Sequence, residues 1–432
     1  MMCRPWPVAV QWMRQTAVLL TLIGLLLSGC APAATAAPPP AASPTRRPTA
    51  TLRPPPPSAT PDRFVLRPSS TPLATDTPAF IPSATPFPPD MNPLTGLTVA
   101  DPALLERRPM VIKVTNYPRS VRPQWGLSLA DHVYEYYLED ELTRFIAVFY
   151  GQDVGRVGPV RSARPFDEYI FRMYRAIFAF GYADDRVIDL WKDSDWRNLL
   201  VIESPDNCPP MCRIGSETNY NTLYTDTDSL SRYVSARGVE NGRQDLRGLY
   251  FEADNFMLRG AREVNRVEIR YSLSSYNYWQ YDPATGRYLR WQDAERLPQS
   301  QEDYQPLTDS LTGQQLGADN LVVLLVPMTY FFLSNSTEIY DFQYTGKGKG
   351  FALRDGRIYA IEWRKRDKSA MVTLSFAGGG PFPLKPGNIW FEVLSDISTH
   401  QSNGPTWHFD FAVPERPTAT PTKVKKRATP SP

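Results

Sequence analysis

The sequence predicts an α+β protein: an N-terminal α/β domain with a mixed sheet, then a C-terminal antiparallel β-rich domain. Three observations carry this. Between residues 91 and 238, apolar β-branched runs alternate with stretches whose apolar residues recur at helical spacing. From 239 to 413, strand patterns follow one another through turn signals with almost no helical period. The 91–413 stretch is also longer than one ordinary hydrophobic core sustains, about 250–300 residues.

The chain opens with a targeting pattern at 1–29. Arg4 and Arg14 precede an apolar run from Ala17 to Leu27, too short for an ordinary spanning helix. It closes in Leu27-Ser28-Gly29-Cys30, a match to the bacterial lipobox, in which a small residue precedes a cysteine that takes a diacylglycerol before cleavage. Lipidation of Cys30 is therefore expected, giving an extracytoplasmic protein held to the cell membrane by acyl chains without a spanning helix.

Residues 30–90 read as the lipidated cysteine and a disordered Pro/Thr/Ala linker. Eighteen of the 59 residues from Ala31 to Pro89 are proline, so N–H donors are lost and there is almost nothing apolar to bury. At ~3.1 Å per residue such a stalk reaches about 180 Å at most. Its Thr-Pro repeats suit a plain spacer or an O-glycosylated one. Residues 414–432 return to Pro/Thr composition as a disordered tail with Lys423, Lys425, Lys426 and Arg427.

Charge and cysteines narrow the partners. With 47 Lys+Arg against 45 Asp+Glu, nothing points to nucleic acid. Cys3 leaves with the signal and Cys30 is lipidated, so Cys208 and Cys212 remain, in Asn207-Cys-Pro-Pro-Met-Cys-Arg213. In an exported chain this pair reads as a disulfide closing a tight loop. A redox pair usually has two intervening residues rather than three. Zinc needs more ligands than two thiols, so no metal is expected.

In the first domain, strands are expected at 110–115, 132–137 and 143–150, the last two joined through Glu139-Asp140-Glu141. Residues 165–175 have helical spacing, with Phe166, Ile170, Phe171 and Tyr174 on one side. A strand at 176–181, a helix at 184–193, a strand at 199–202 and a helix at 226–236 follow, the last capped by Asp226 or Asp228. In the second domain, strands are expected at 267–271, 276–281, 287–291, 320–326, 350–354, 357–363, 371–376 and 389–393, with Asp355-Gly356 a two-residue hairpin turn. A small antiparallel barrel or sandwich fits that series. Tyr276, Tyr278, Trp279, Tyr281, Tyr288 and Trp291 crowd one hairpin, either as a platform for sugar rings or as core and cross-strand pairs.

Five motifs occur in order: Asn92-Pro-Leu-Thr-Gly-Leu97, Arg122-Pro-Gln-Trp-Gly-Leu-Ser-Leu-Ala-Asp131, Tyr134-Glu135, Thr143-Arg144-Phe145 and Gly158-Pro-Val-Arg-Ser-Ala-Arg164. Together they resemble the YerB-like lipoprotein family over nearly all of 92–394. The resemblance implies a lipoprotein with a two-part domain of unknown function, and it supplies no activity to carry over. The family often has a Gly-rich link before its Thr-Arg, where this chain has Glu139-Asp140-Glu141-Leu142.

The most chemically committed run is 158–165. Arg161 and Arg164 lie three apart, behind a Gly-Pro turn and before an expected helix start with Pro165 at its first position. Two guanidinium groups beside free helix N–H groups suit an anion. That anion is either internal (Asp131, Glu135 or Glu139) or an external ligand. Arg122, Asp131, Glu135, Arg144, Arg161, Ser162 and Arg164 form the candidate ligand-binding set.

No HExxH, GxSxG or Walker loop is present, and His132, His400 and His408 are the only histidines. No cofactor is implied. The reading that follows is a lipoprotein that binds an anionic or glycan ligand of the cell envelope. The alternatives are an envelope hydrolase or transferase acting on wall polymer through Glu135 or Asp131 with the arginines, and a scaffold that docks an envelope protein.

Overall fold

The structure, a computed structural model, describes residues 87–215, 219–254, 261–297 and 302–417. Cys30, the targeting segment, the linker through residue 86 and the basic cluster of the tail lie outside them.

The strands of the first half form where apolar, β-branched and aromatic residues predominate, with a few polar side chains buried among them. β1 (Met110–Thr115) and β3 (Thr143–Phe149) are buried throughout, and β2 (His132–Tyr137) through all but its last residue. Burial on both faces is why they read as continuous runs. α1 (Asp167–Met173), β4 (Ile177–Phe180), α2 (Asp185–Lys192), β5 (Leu200–Ile202) and α3 (Thr227–Ala236) follow. The Asp184 carboxylate accepts from Arg186 N–H to cap α2, and Asp226 accepts from Ser229 N–H to cap α3.

The second half contributes β6 (Arg266–Arg270), β7 (Tyr276–Asp282), β8 (Arg287–Asp293), β9 (Asn320–Val326), β10 (Met328–Leu333), β11 (Glu338–Phe342), β12 (Gly346–Arg354), β13 (Arg357–Lys365), β14 (Thr373–Phe376), β15 (Ile389–Ser395), β16 (Thr399–Asn403) and β17 (Thr406–Asp410).

One eleven-stranded sheet runs through both halves. Its order is Arg262–Glu263, β13, β12, β9, β15, β2, β3, β1, β4, β5, with β14 beside β13. The seam is β15 against β2, parallel from Ile389↔His132 to Val393↔Tyr136. This corrects the expected separate antiparallel barrel or sandwich. The second half divides between the shared sheet and a seven-stranded sheet built on β8, β7, β6, β17 and β16, and it contains the parallel pairs β6–β17 and β9–β15. The cause is β15: all seven of its residues are buried, so it needs a strand on each side, and β2 supplies the second.

The two faces of the shared sheet carry different layers. α1 and α2 cover one, packing Ile170, Phe171 and Trp191 against Tyr134, Phe178 and their neighbours. The seven-stranded sheet and α3 cover the other, where Trp279, Ile269 and Leu230 join a cluster with Phe145 and Trp390. The aromatic hairpin faces inward: Tyr276, Trp279 and Tyr288 are buried, and Tyr278 stacks on Trp291 at 5.4 Å beneath the Arg266 guanidinium at 3.5 Å. It offers no open platform for sugars.

Candidate functional site

β1 and β4 pair in parallel from Met110↔Ile177 to Ile112↔Ala179 and then part. The 157–163 ribbon fills the split. Arg161 N–H donates to Lys113 O at 3.0 Å, Gly181 N–H to Arg161 O at 3.0 Å, and Ala163 N–H to Tyr182 O at 2.7 Å. The Gly158–Arg164 run therefore sits at the carboxyl ends of the parallel strands β1 and β4, beside β5. Strand ends there open a crevice, the usual ligand position of an open α/β sheet.

The expected helical first turn is corrected. The 161–164 run is not helical, and α1 begins only at Asp167, whose Oδ2 accepts from Arg164 N–H at 2.9 Å. In an extended ribbon, residues three apart face opposite ways. Arg164 turns to Glu139 and makes a bidentate ion pair, with Nε donating at 3.0 Å and Nη2 completing the fork. Arg161 turns the other way, donating to Asn221 Oδ1 at 3.2 Å and lying 5.8 Å from the Tyr220 ring.

Arg161 has no carboxylate partner among the described residues, and its Nε is buried without an acceptor. Arg144 is buried at the start of β3, and its Nη1 donates to Ser162 O at 2.6 Å. It too lacks a carboxylate within ion-pair distance among the described residues. Burial lowers the Arg144 pKa to about 9, with repulsion from Arg164 and Arg161 adding to it. Arg161 is lowered by burial and then by Arg164 and Arg213. The result is local positive charge with unused donors.

Ser162 and Tyr182 line two depressions at once. The smaller, about 330 Å³, has Arg161, Arg213, Glu203 and Tyr220 on its walls. The larger, about 680 Å³, is edged by the 139–141 turn, Asp184, and the 335–339 stretch. Asp140 and Glu141 take φ of 55° and 63°, the region that glycine enters freely. Here that turn is held by Glu141, which accepts from Ser274 Oγ at 2.7 Å and pairs with Arg296.

Cys208 and Cys212 are disulfide-bonded, with Cα atoms 4.8 Å apart. The bond ends one residue before Arg213, which pairs with Glu203 at 2.5 Å. Cys212 and Arg213 also pair with Tyr224 and Leu223, and Leu223 O accepts from Val160 N–H at 2.7 Å. The disulfide loop is thus tied to the arginine ribbon.

The other candidates lie elsewhere. Arg122 donates to Asn116 O at 3.0 Å and pairs with Asp293 at 3.1 Å. Asp131 accepts from Asn92 Nδ2, Tyr150 N–H and Gly151 N–H, and burial raises its pKa to about 6. Glu135 is buried mid-strand against the seven-stranded sheet. It accepts from Arg290 Nη2 at 2.5 Å and Thr143 Oγ1 at 2.6 Å, while Arg290 Nη1 donates to Glu392 at 2.7 Å. Burial raises Glu135 to about 7, Arg290 opposing and Glu392 adding to the rise.

Neither Asp131 nor Glu135 reaches Arg161 or Arg164; of the internal pairings expected, the one that forms is Arg164 with Glu139. His132 sits between Tyr174 OH at 2.6 Å and Leu94 O at 2.7 Å, with its pKa lowered to about 4 by burial. Among the described residues, no group of three or more His, Cys, Asp or Glu is placed to hold a metal ion.

Sequence reading missed Tyr182, Arg213 and Tyr220. The only local signal was the position of Arg213 directly after Cys212.

Two family models match the chain, both described as protein of unknown function (DUF3048): the N-terminal domain over residues 94–240 and the C-terminal domain over 267–391. YerB of Bacillus subtilis (strain 168), named as a lipoprotein, is 26% identical over 316 residues, covering 71% of this chain and 86% of the relative. The crystal structure of YerB protein from Bacillus subtilis aligns with a TM-score of 0.60 at 24% identity, over 71% of this chain and 97% of that one. At that identity the likeness speaks for the fold alone.

Proposed function

The chain belongs to the DUF3048 family of proteins of unknown function, and from that premise we propose a cell-surface lipoprotein, anchored through Cys30, that binds an anionic or glycan ligand of the envelope at Arg161. The lipoprotein relative and the Leu27-Ser28-Gly29-Cys30 motif support the anchor. Among the described residues, no helix is long and apolar enough to cross a membrane.

The observation that carries the binding role is the state of Arg161. Arg122 and Arg164 are each committed to a carboxylate, whereas Arg161 lines a depression with a buried Nε and has no carboxylate within ion-pair distance among the described residues, the nearby Glu203 being paired with Arg213. With one amide acceptor and no ion pair, the Arg161 guanidinium has donors left for an external carboxylate or phosphate, which it would meet with charge-assisted bonds.

Cosedimentation with purified cell-wall material tests the reading. Wild type is expected to pellet with the wall and Arg161→Ala to stay in solution with an unchanged circular dichroism spectrum. Equal pelleting of the two removes Arg161 from the role. Fatty-acid labelling that marks wild type but not Cys30→Ser tests the anchor separately.

A further inference from the structure

The two depressions that meet at Ser162 and Tyr182 differ in sign. The smaller holds Arg161 and Arg213 against a single carboxylate, Glu203, already paired with Arg213. The larger carries five carboxylates against two guanidinium groups. Those two guanidinium groups are spent, Arg164 on Glu139 and Arg416 on Glu338. Glu141 and Asp184 lean on Arg296 and Arg186. Asp140 is exposed and has no ion-pair partner among the described residues. A ligand lying across the seam meets donors at one end and acceptors at the other.

Building on the anion reading above, we infer that the two depressions form one groove for a glycan with sparse charge, a carboxylate-bearing sugar followed by a neutral, hydroxyl-rich ring. The carboxylate takes the Arg161 fork. Tyr182 and Tyr220, 53% and 73% exposed, flank it as surfaces for the apolar faces of sugar rings. The next ring presents hydroxyl donors to carboxylates that can only accept.

The same layout rejects dense polyanions. A second negative group one link further on faces the acidic end, where partial desolvation strengthens repulsion. Selectivity then comes from the repulsive half of the groove as much as from the attractive half.

Calorimetric titration of the mature chain with four probes tests this: free glucuronate, a tetrasaccharide of alternating glucuronate and N-acetylglucosamine, inorganic phosphate, and tripolyphosphate. Glucuronate and phosphate are expected to bind wild type and to lose at least about tenfold in Arg161→Ala. The tetrasaccharide is expected to bind about tenfold tighter than glucuronate, and tripolyphosphate no tighter than phosphate. Asp140→Asn is expected to strengthen tripolyphosphate about threefold. Asparagine tolerates the left-handed backbone at this position, so the turn is kept. Tripolyphosphate binding tighter than phosphate, or a tetrasaccharide no tighter than glucuronate, overturns the groove while leaving Arg161 as an anion site. No binding of any probe by wild type removes both.

Discussion

The Glu135–Arg290–Glu392 network and the Arg144–Arg161–Arg164 cluster both withdraw guanidinium groups from water, but only the first surrounds them with acceptors. Arg290 gives Nη1 to Glu392, Nη2 to Glu135 and Gln292, and Nε to Gln292, while Trp279 Nε1 and Tyr271 OH donate to Glu392. In the second group only Arg164 has a carboxylate, Arg144 has one backbone acceptor and Arg161 has one side-chain amide. A closed buried network belongs to the fold. An open one leaves donors unpaired.

The difference breaks down most visibly at Arg290. Arg290→Ala leaves two buried carboxylates without their cation and is expected to cost about 3–5 kcal/mol in urea unfolding. A loss below about 1 kcal/mol would mean that the network is not the closed unit described. Arg164→Ala, whose partner Glu139 is partly exposed and rehydrates, is expected to cost about 1–3 kcal/mol in the same measurement.

Glu135 sharpens the contrast through pH. Burial raises its pKa in the folded chain from 4.5 to about 7, so the folded state keeps a proton that the unfolded state gives up. The stability that this proton contributes is fully present below the unfolded value of 4.5 and is lost as pH rises through about 7. Glu135→Gln, which imitates the protonated form, is expected to flatten the dependence of melting temperature on pH across that window. A variant that keeps the wild-type slope would place the titration elsewhere. The smallest effect on stability is expected from Arg161→Ala, within about 0.5 kcal/mol, because no protein charge is left behind.

Much of the fold was legible because the signals are local. β1, β2, β3 and β9 announce themselves as apolar runs, and Asp355-Gly356 as a tight hairpin turn with Asp355 at φ 51° and Gly356 at φ 69°. The seam between β15 and β2 was not legible, since the apolar run at 389–393 says that a strand is buried but not which strand lies beside it.

The site divides the same way. Arg161 and Arg164 stand out by composition, yet their opposite fates depend on 157–163 lying as an extended ribbon between β1 and β4, with α1 starting only just beyond Pro165. Arg213, Tyr182 and Tyr220 come from segments brought together only by that ribbon and the disulfide loop.

The claim that Arg161 is held open for a ligand is tested most directly by the guanidinium Nε–H resonances in a phosphate titration followed by NMR. Arg161 Nε–H is expected to shift progressively and saturate while Arg290 Nε–H, already bonded to Gln292, stays fixed. An Arg161 signal that does not move, or that moves no more than that of Arg290, contradicts it.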